Sequence, residues 1–203
     1  MSKTIEGPDG KPRCLWCNAA PEFFHYHDTE WGFPVSDDYR LFEKLSLESF
    51  QSGLSWRTIL TKRENFRAAF HHFDFNKIAR FTQRDINHLL KDKGIVRHRG
   101  KIEAVINNAQ RAQELVEREG SLAAFLWGYE PDTKQLPKPQ SASTSPESIA
   151  LSKDLKKMGW KFVGPTTAYA FMQAMGLIND HVEGCVTRAK VERARKKFKR
   201  PVS

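Results

Sequence analysis

The stretch "LKKMGWKFVGPTTAYAFMQAMG", Leu155 to Gly176, decides the fold. It reads as a helix, a short turn containing glycine, and a second helix. Gly164 allows the turn and lets the backbone approach a ligand closely. Pro165 suits the first helical position, and Thr166 and Thr167 add hydroxyls beside the free N–H groups of the helix start. Such an element grips a phosphate without reading bases. The plain alternative is an ordinary helical hairpin, because "VGPTTA" alone does not separate the two.

Helical signals continue on both sides. Ser145 reads as an N-cap with Pro146 at the first helical position, and Gly159 can close that helix. Thr82 and Asp85 have capping-box-like spacing before Ile86, Leu89 and Leu90. Ile102, Val105, Ile106, Ala109, Ala112 and Val116 keep helical period on one face. Leu41, Phe42 and Leu45, then Trp56, Ile59, Leu60, Phe66 and Phe70, read the same way. Residues 130–145 are rich in Pro and Ser and read as a loop. With no sustained period-2 pattern, the expected fold is all-α.

Composition sets the outer limits. The 203 residues are 39% apolar, with 14 Phe and 5 Trp, enough for a real core. The net charge of +9 points to an acidic partner, most often nucleic acid. From Thr187 to Ser203 there are eight Lys or Arg against Glu192 alone, so the body is close to neutral. Three cysteines do not make a disulfide framework, and the N-terminus lacks the apolar run of a secretion signal. No segment approaches membrane-spanning length. These features lead us to expect a soluble, cytoplasmic protein.

Two features carry chemistry. In "NDHVEGC", His181 and Cys185 stand four apart, able to converge on one metal ion. Zinc normally takes four ligands, and the candidates for the rest are Cys14, Cys17, and His25 or His27. Cys14 with His27, or Cys14 with Cys17, completes a sound set, while isolated core residues are the plain alternative. Glu48 lies three after Leu45 and seven after Leu41, which puts a carboxylate on the apolar stripe. That is costly unless the carboxylate is paired, for example with an arginine, or its charge is used.

"RCLWC", "YHDTEWG", "LESFQSGLSW", "GIVRHRGK", "KFVGPTTAYAFMQAMGLINDH" and "GC" occur in one order. Together they resemble the bacterial 3-methyladenine DNA glycosylase I family, from about residue 13 to 185. The resemblance implies a helix-hairpin-helix element and a structural zinc on Cys14, His27, His181 and Cys185, tying the two chain ends together. It implies that Glu48 is the catalytic and base-recognising residue, with Trp56, Tyr26, Trp16 and Phe23 as aromatic candidates for the base pocket. Phe23 stands where a tyrosine is expected, keeping a stacking face without the hydroxyl. Asn179, which cannot be a carboxylate base, falls in the slot where wider relatives carry a catalytic aspartate.

DNA contacts are expected from Gln51, from Gly53 with its close approach, and from Leu54 as an apolar wedge. Gly164, Pro165, Thr166 and Thr167 hold a phosphate, and Arg97, Arg99 and Lys101 add cations. The implied protein is a monofunctional monomer without a nucleotide cofactor, acting on damaged double-stranded DNA. Its expected parts are a flexible extension (1–12), a domain of two helical lobes (13–186, hairpin about 147–176) and a basic tail (187–203). The rival reading is a non-catalytic DNA-binding protein on the same scaffold. A zinc deaminase is disfavoured because its His-x-Glu and Pro-Cys-x-x-Cys signature is absent.

Overall fold

The computed structural model describes residues 3–202. Two three-residue strands, β1 (Thr4–Glu6) and β2 (Pro12–Cys14), pair antiparallel. The fold is therefore mostly helical with one small two-stranded sheet, and residues 4–14 form a hairpin. Strands of three residues are too short to show a readable alternation.

The helices among the described residues are α1 (Pro21–Thr29), α2 (Asp38–Gln51), α3 (Trp56–Thr61), α4 (Arg63–Ala69), α5 (Phe75–Ile78), α6 (Gln83–Leu89), α7 (Arg99–Glu119), α8 (Leu122–Trp127), α9 (Pro146–Lys157), α10 (Pro165–Ala174) and α11 (Arg188–Lys197). The local signals explain their ends. Ser145 and Ser148 exchange backbone and side-chain hydrogen bonds at 3.2 and 2.8 Å to start α9. Thr82 and Asp85 form the box that starts α6. Asp37 accepts from Arg40 N at 2.8 Å to start α2. None of these helices is long and apolar enough to cross a membrane.

Helix α2 is the hub. It packs on α3, α7, α8 and α10, and Leu41, Phe42, Leu45, Leu47 and Phe50 are buried along it. Because neighbours surround it, the polar residues Glu43, Lys44, Ser46, Glu48 and Ser49 are buried as well. Glu43, Lys44, Glu48 and Ser49 find partners inside the protein, whereas the buried Ser46 hydroxyl has none among the described residues. Helix α10 lies between α9 and α2, linking the turn before it to the hub.

The basic C-terminal stretch is a packed helix rather than a free tail. Val191 is fully buried, and Arg195 reaches under the end of α10 to Gly176 O while pairing with Glu130 at 2.7 Å. Arg200 binds the same carboxylate at 2.8 Å. Lys190, Arg193, Lys196, Lys197 and Lys199 remain exposed.

Candidate base pocket and metal cluster

Glu48 and Gln51, one turn apart on α2, face Ala170 and Gln173, one turn apart on α10. Between them opens a cavity of about 200 Å³ walled by Trp16, Tyr26, Trp31 and Trp56. Trp16 meets Trp31 edge-on at 5.2 Å, and Tyr26 lies 5.4 Å from Trp56, so the rings brace one another. Gln173 is aimed by Asp180, which accepts from its Nε2 at 2.6 Å. Phe23 is the exception among the expected aromatics. It packs edge-on against Trp16 at 5.6 Å and does not line the cavity.

The carboxylate of Glu48 is paired with Lys44, one turn earlier, at 2.8 Å. Lys44 Nζ also donates to the Tyr26 hydroxyl at 2.7 Å and sits 3.4 Å from the centre of the Trp56 ring. The buried pair is thus made with a lysine, not an arginine, and only its Glu48 side lines the cavity. Burial pushes the Lys44 amine down, against the opposing pull of Glu48.

A second hollow shares Glu48, Gln51 and Ala170 and continues past Ser52 to Leu54 and to Thr166 and Thr167. Leu54 is 41% exposed at its rim. Gly53 has φ +78 in open space, a left-handed turn that glycine adopts without cost. This turn is held by Lys101, whose buried ammonium donates to Phe50 O at 2.8 Å and Ser52 O at 2.5 Å. Lys101 therefore caps the end of α2. Arg97 is exposed, and Arg99 is exposed beside Glu103 at 3.3 Å.

The turn before α10 is fixed from three sides. Asn108 on α7 accepts from Lys161 N at 2.8 Å and donates to Lys161 O at 2.9 Å. Ser49 donates to Phe162 O at 2.9 Å, and Ser152 donates to Val163 O at 2.6 Å. With these carbonyls satisfied, Gly164 faces open space, and after Pro165, which carries no N–H, Thr166 and Thr167 start α10 with N–H groups that have no partner within the helix.

The far end of α10 leads to the metal candidates. Ligand atoms of Cys14, His27 and Cys185 lie within 4.8 Å of one another, all buried. The His181 ring is 4.7 Å from that of His27, and its Nε2 is buried without a hydrogen-bond partner. The other ring nitrogens are tied: His27 Nδ1 lies 2.8 Å from Asp28 and His181 Nδ1 lies 3.0 Å from Asn179. Such outer contacts fix imidazole orientation at metal sites. Burial, and then His27, depress His181 to about 4, which leaves it neutral as a ligand requires. The hydrogen bond from Cys14, helped by His27, holds Cys185 down at about 3, whereas burial pushes Cys17 up to about 12. Cys17 lies outside the cluster. The closeness of Gly32 belongs to the same packing, since a Cβ there would stand 2.9 Å from His181.

The order of these parts along the chain matches a known family: the model of the methyladenine glycosylase family covers residues 16–189. The chain belongs to that family. It is 47% identical over 177 residues to DNA-3-methyladenine glycosylase 1 of Escherichia coli (strain K12), covering 85% of this chain and 95% of that one. It is 45% identical to DNA-3-methyladenine glycosylase of Haemophilus influenzae, covering 85% and 96%. Among solved structures, 3-methyladenine DNA glycosylase I from Staphylococcus aureus superposes with a TM-score of 0.80 at 38% identity, covering 87% of this chain and 96% of that one.

Against this family background, sequence reasoning missed Trp31 and Gln173 in the cavity and Lys44 behind its wall. Lys44 had a signal, because a lysine four residues before a stripe carboxylate is the i,i+4 pairing of a helix. Trp31 and Gln173 had none, since their places depend on contacts between distant segments.

Proposed function

We propose that this protein is a monofunctional DNA repair glycosylase that hydrolyses the N-glycosidic bond of alkylated purines, chiefly 3-methyladenine, in damaged double-stranded DNA. The observation that carries the reading is the Glu48 carboxylate at the floor of a cavity walled by Tyr26, Trp16 and Trp56, in a chain of the methyladenine glycosylase family. A base inside a duplex cannot reach such a cavity, so it must be flipped out of the stack. Leu54 enters the space it leaves, Gly53 allows the close approach, and Gln51 braces the rim. The N–H groups at Gly164, Thr166 and Thr167 hold a backbone phosphate, with Arg97 and Arg99 as further cations.

Methylation at N3 makes adenine a cationic leaving group that departs as a neutral base, so little acid–base help is needed. The aromatic faces stack on the purine, and Glu48 accepts its N–H groups and favours the charge that spreads from the breaking bond. Zinc is the metal whose chemistry fits two thiolates and two neutral imidazoles, held by Cys14, His27, His181 and Cys185. Its contribution is structural: it joins β2 and α1 to the segment after α10. The orphaned Nε2 of His181 is the observation that supports the fourth ligand.

The test is release of free base from methylated duplex DNA, identified by chromatography. We expect 3-methyladenine to appear with intact phosphodiester strands. Duplex binding without any released base would favour the non-catalytic reading.

A further inference from the structure

We propose that Gln173 is a specificity-determining residue of this pocket, presenting its carbonyl oxygen to the 6-amino group of the flipped base, with Asp180 as the positioning residue that holds it that way round. The inference rests on the glycosylase reading above and adds the means by which 3-methyladenine is told from 3-methylguanine. It starts from a side-chain amide in the cavity wall. Gln173 stands on α10 across the cavity from Glu48 on α2. Asp180 does not line that cavity and reaches it only through the glutamine.

A glutamine amide donates at one end and accepts at the other, so its surroundings decide which end meets a ligand. Here a carboxylate decides. Asp180 Oδ2 lies 2.6 Å from Gln173 Nε2, while Asp180 Oδ1 accepts from Gln140 N at 2.9 Å. An ionised carboxylate only accepts, so the glutamine must turn its NH2 end toward it. The Oε1 end is left for the cavity, and it has no hydrogen-bond partner among the described residues. Asp180 is 4% exposed, which keeps water from competing for the amide. The charge behind the amide also polarises it and makes Oε1 a stronger acceptor.

Glu48 likewise accepts, held by the Lys44 ammonium at 2.8 Å. The two helices therefore offer the base an acceptor from each side. The 6-amino group of 3-methyladenine has a pair of N–H bonds and serves both. In 3-methylguanine the same position carries O6, which meets oxygen lone pairs and leaves Gln173 Oε1 without a donor. Leaving a polar group of the site unpaired is how a pocket rejects an analogue strongly. Both bases carry the positive charge of N3 methylation and depart as neutral bases, so the ease of departure does not separate them. Selection falls to the wall.

The choice of residue types fits this role. A carboxylate at position 173 would also accept, but it would stand against buried Asp180 at hydrogen-bond distance, where like charges oppose each other. An amide supplies the acceptor without that repulsion. It needs a fixed partner to keep its NH2 end out of the cavity, and Asp180 is that partner.

The experiment uses the full-length zinc-loaded protein on a methylated duplex that carries both bases, and the release rates of 3-methyladenine and 3-methylguanine are measured separately. The parent should favour 3-methyladenine by about tenfold or more. In Asp180→Asn the remaining oxygen stays on Gln140 N, so the new NH2 faces Gln173 and turns its amide over. A donor then faces the base, and the 3-methyladenine to 3-methylguanine ratio should fall by about tenfold. Gln173→Met removes the acceptor and should lower the ratio too. The double variant Asp180→Ala, Gln173→Glu regains an acceptor without the repulsion, and its ratio should return toward the parent's. The 2-amino group of 3-methylguanine meets the same wall in every variant, so changes in the ratio report position 6. Zinc content and thermal midpoint are measured for each, because Asp180 adjoins His181.

Equal release of the two bases by the parent overturns the inference, whatever the variants do. A parental ratio in Gln173→Met overturns it too. If both rates fall together in folded, zinc-loaded Asp180→Asn, with the ratio unchanged, Asp180 is structural and its positioning role is overturned. Should Asp180→Asn lose zinc or fail to fold, Gln173→Met decides by the same ratio. Release of neither base by the parent removes the glycosylase reading itself, and this inference with it.

Discussion

Lys44 donates to Glu48 across one turn of α2 at 2.8 Å, and the Glu48 carboxylate it holds lines a cavity walled by Trp16, Tyr26, Trp31 and Trp56. Glu48→Gln keeps a carbonyl oxygen for Lys44 but removes the charge and half the acceptor capacity. Release of 3-methyladenine should fall by about tenfold or more, the scale of losing one charged hydrogen bond at roughly 1.5–3 kcal/mol. The thermal midpoint should fall as well, because the Lys44 ammonium stays buried without its counter-charge. Affinity for undamaged duplex should hold, since Gly164 and Thr166 lie on a separate turn. An unchanged excision rate would reduce Glu48 to a partner of Lys44.

Much of this architecture is local and therefore legible. The caps at Ser145 and Thr82, and the run Gly164-Pro165-Thr166, are short-range devices that read directly as helix starts. Glu48 stood out because a carboxylate interrupts an apolar stripe. The four metal candidates are separated by most of the chain, so spacing alone left Cys17 and His27 as rivals, and only the family resemblance favoured His27. The hold of Lys101 on the end of α2 was not legible, because a cation cluster at a helix start reads only as a phosphate contact. Its partners, Phe50 O and Ser52 O, lie 51 and 49 residues away, beyond any periodicity argument.

The metal cluster yields a selective prediction. Cys185→Ser should lose bound zinc and unfold at lower temperature, because His27 and His181 are then left facing each other without the ion. Cys17→Ser should keep the metal. Asn179→Ala leaves all four ligands in place but frees His181 Nδ1, and should weaken zinc by about 10–100-fold. Metal content and chelator titration check all three. Zinc loss on changing Cys17 would shift the ligand set to the other cysteine pair.

Lys101 should act on excision through the turn it holds. In Lys101→Met the buried Phe50 carbonyl loses its donor, at a cost of about 1–3 kcal/mol, and the part-buried Ser52 carbonyl turns to solvent. The Gly53–Leu54 turn then loosens, so excision should fall while the salt dependence of duplex binding stays the same. A reduced salt slope instead would mean that the ammonium reaches phosphate.

Acid should reveal the Glu30 pair. Burial works against this carboxylate, but the bidentate hydrogen bonds from Arg63 at 2.6 and 2.8 Å outweigh it, and the net shift is downward. A lowered folded value contributes stability that is present above the unfolded carboxylate value of about 4.3 and is lost as pH falls through the folded one. Glu30→Gln should therefore be less stable than the parent at neutral pH, with the gap closing below about pH 4. Denaturant midpoints measured across that range decide it, and a gap independent of pH would assign the loss to packing.

The basic C-terminal helix separates into a structural half and an electrostatic half. Val191 and Arg195 are buried, and Arg195 meets Gly176 at the end of α10 opposite the Gly164 turn, roughly 15 Å along a ten-residue helix. Removing residues 188–203 would expose that packing, so truncation should lower the thermal midpoint and confuse any binding result. Lys196, Lys197 and Lys199 are exposed, and changing all three to Gln leaves the buried side chains of the helix alone. If these cations attract duplex phosphates, the triple variant should keep its midpoint. The slope of log affinity against log salt should then flatten by about 1–3, near 0.9 for each phosphate that is no longer neutralised. The ratio of excised bases should not change, because phosphate attraction carries no base identity. A slope equal to the parent's would mean that the helix does not touch DNA and serves to hold the end of the chain over Glu130.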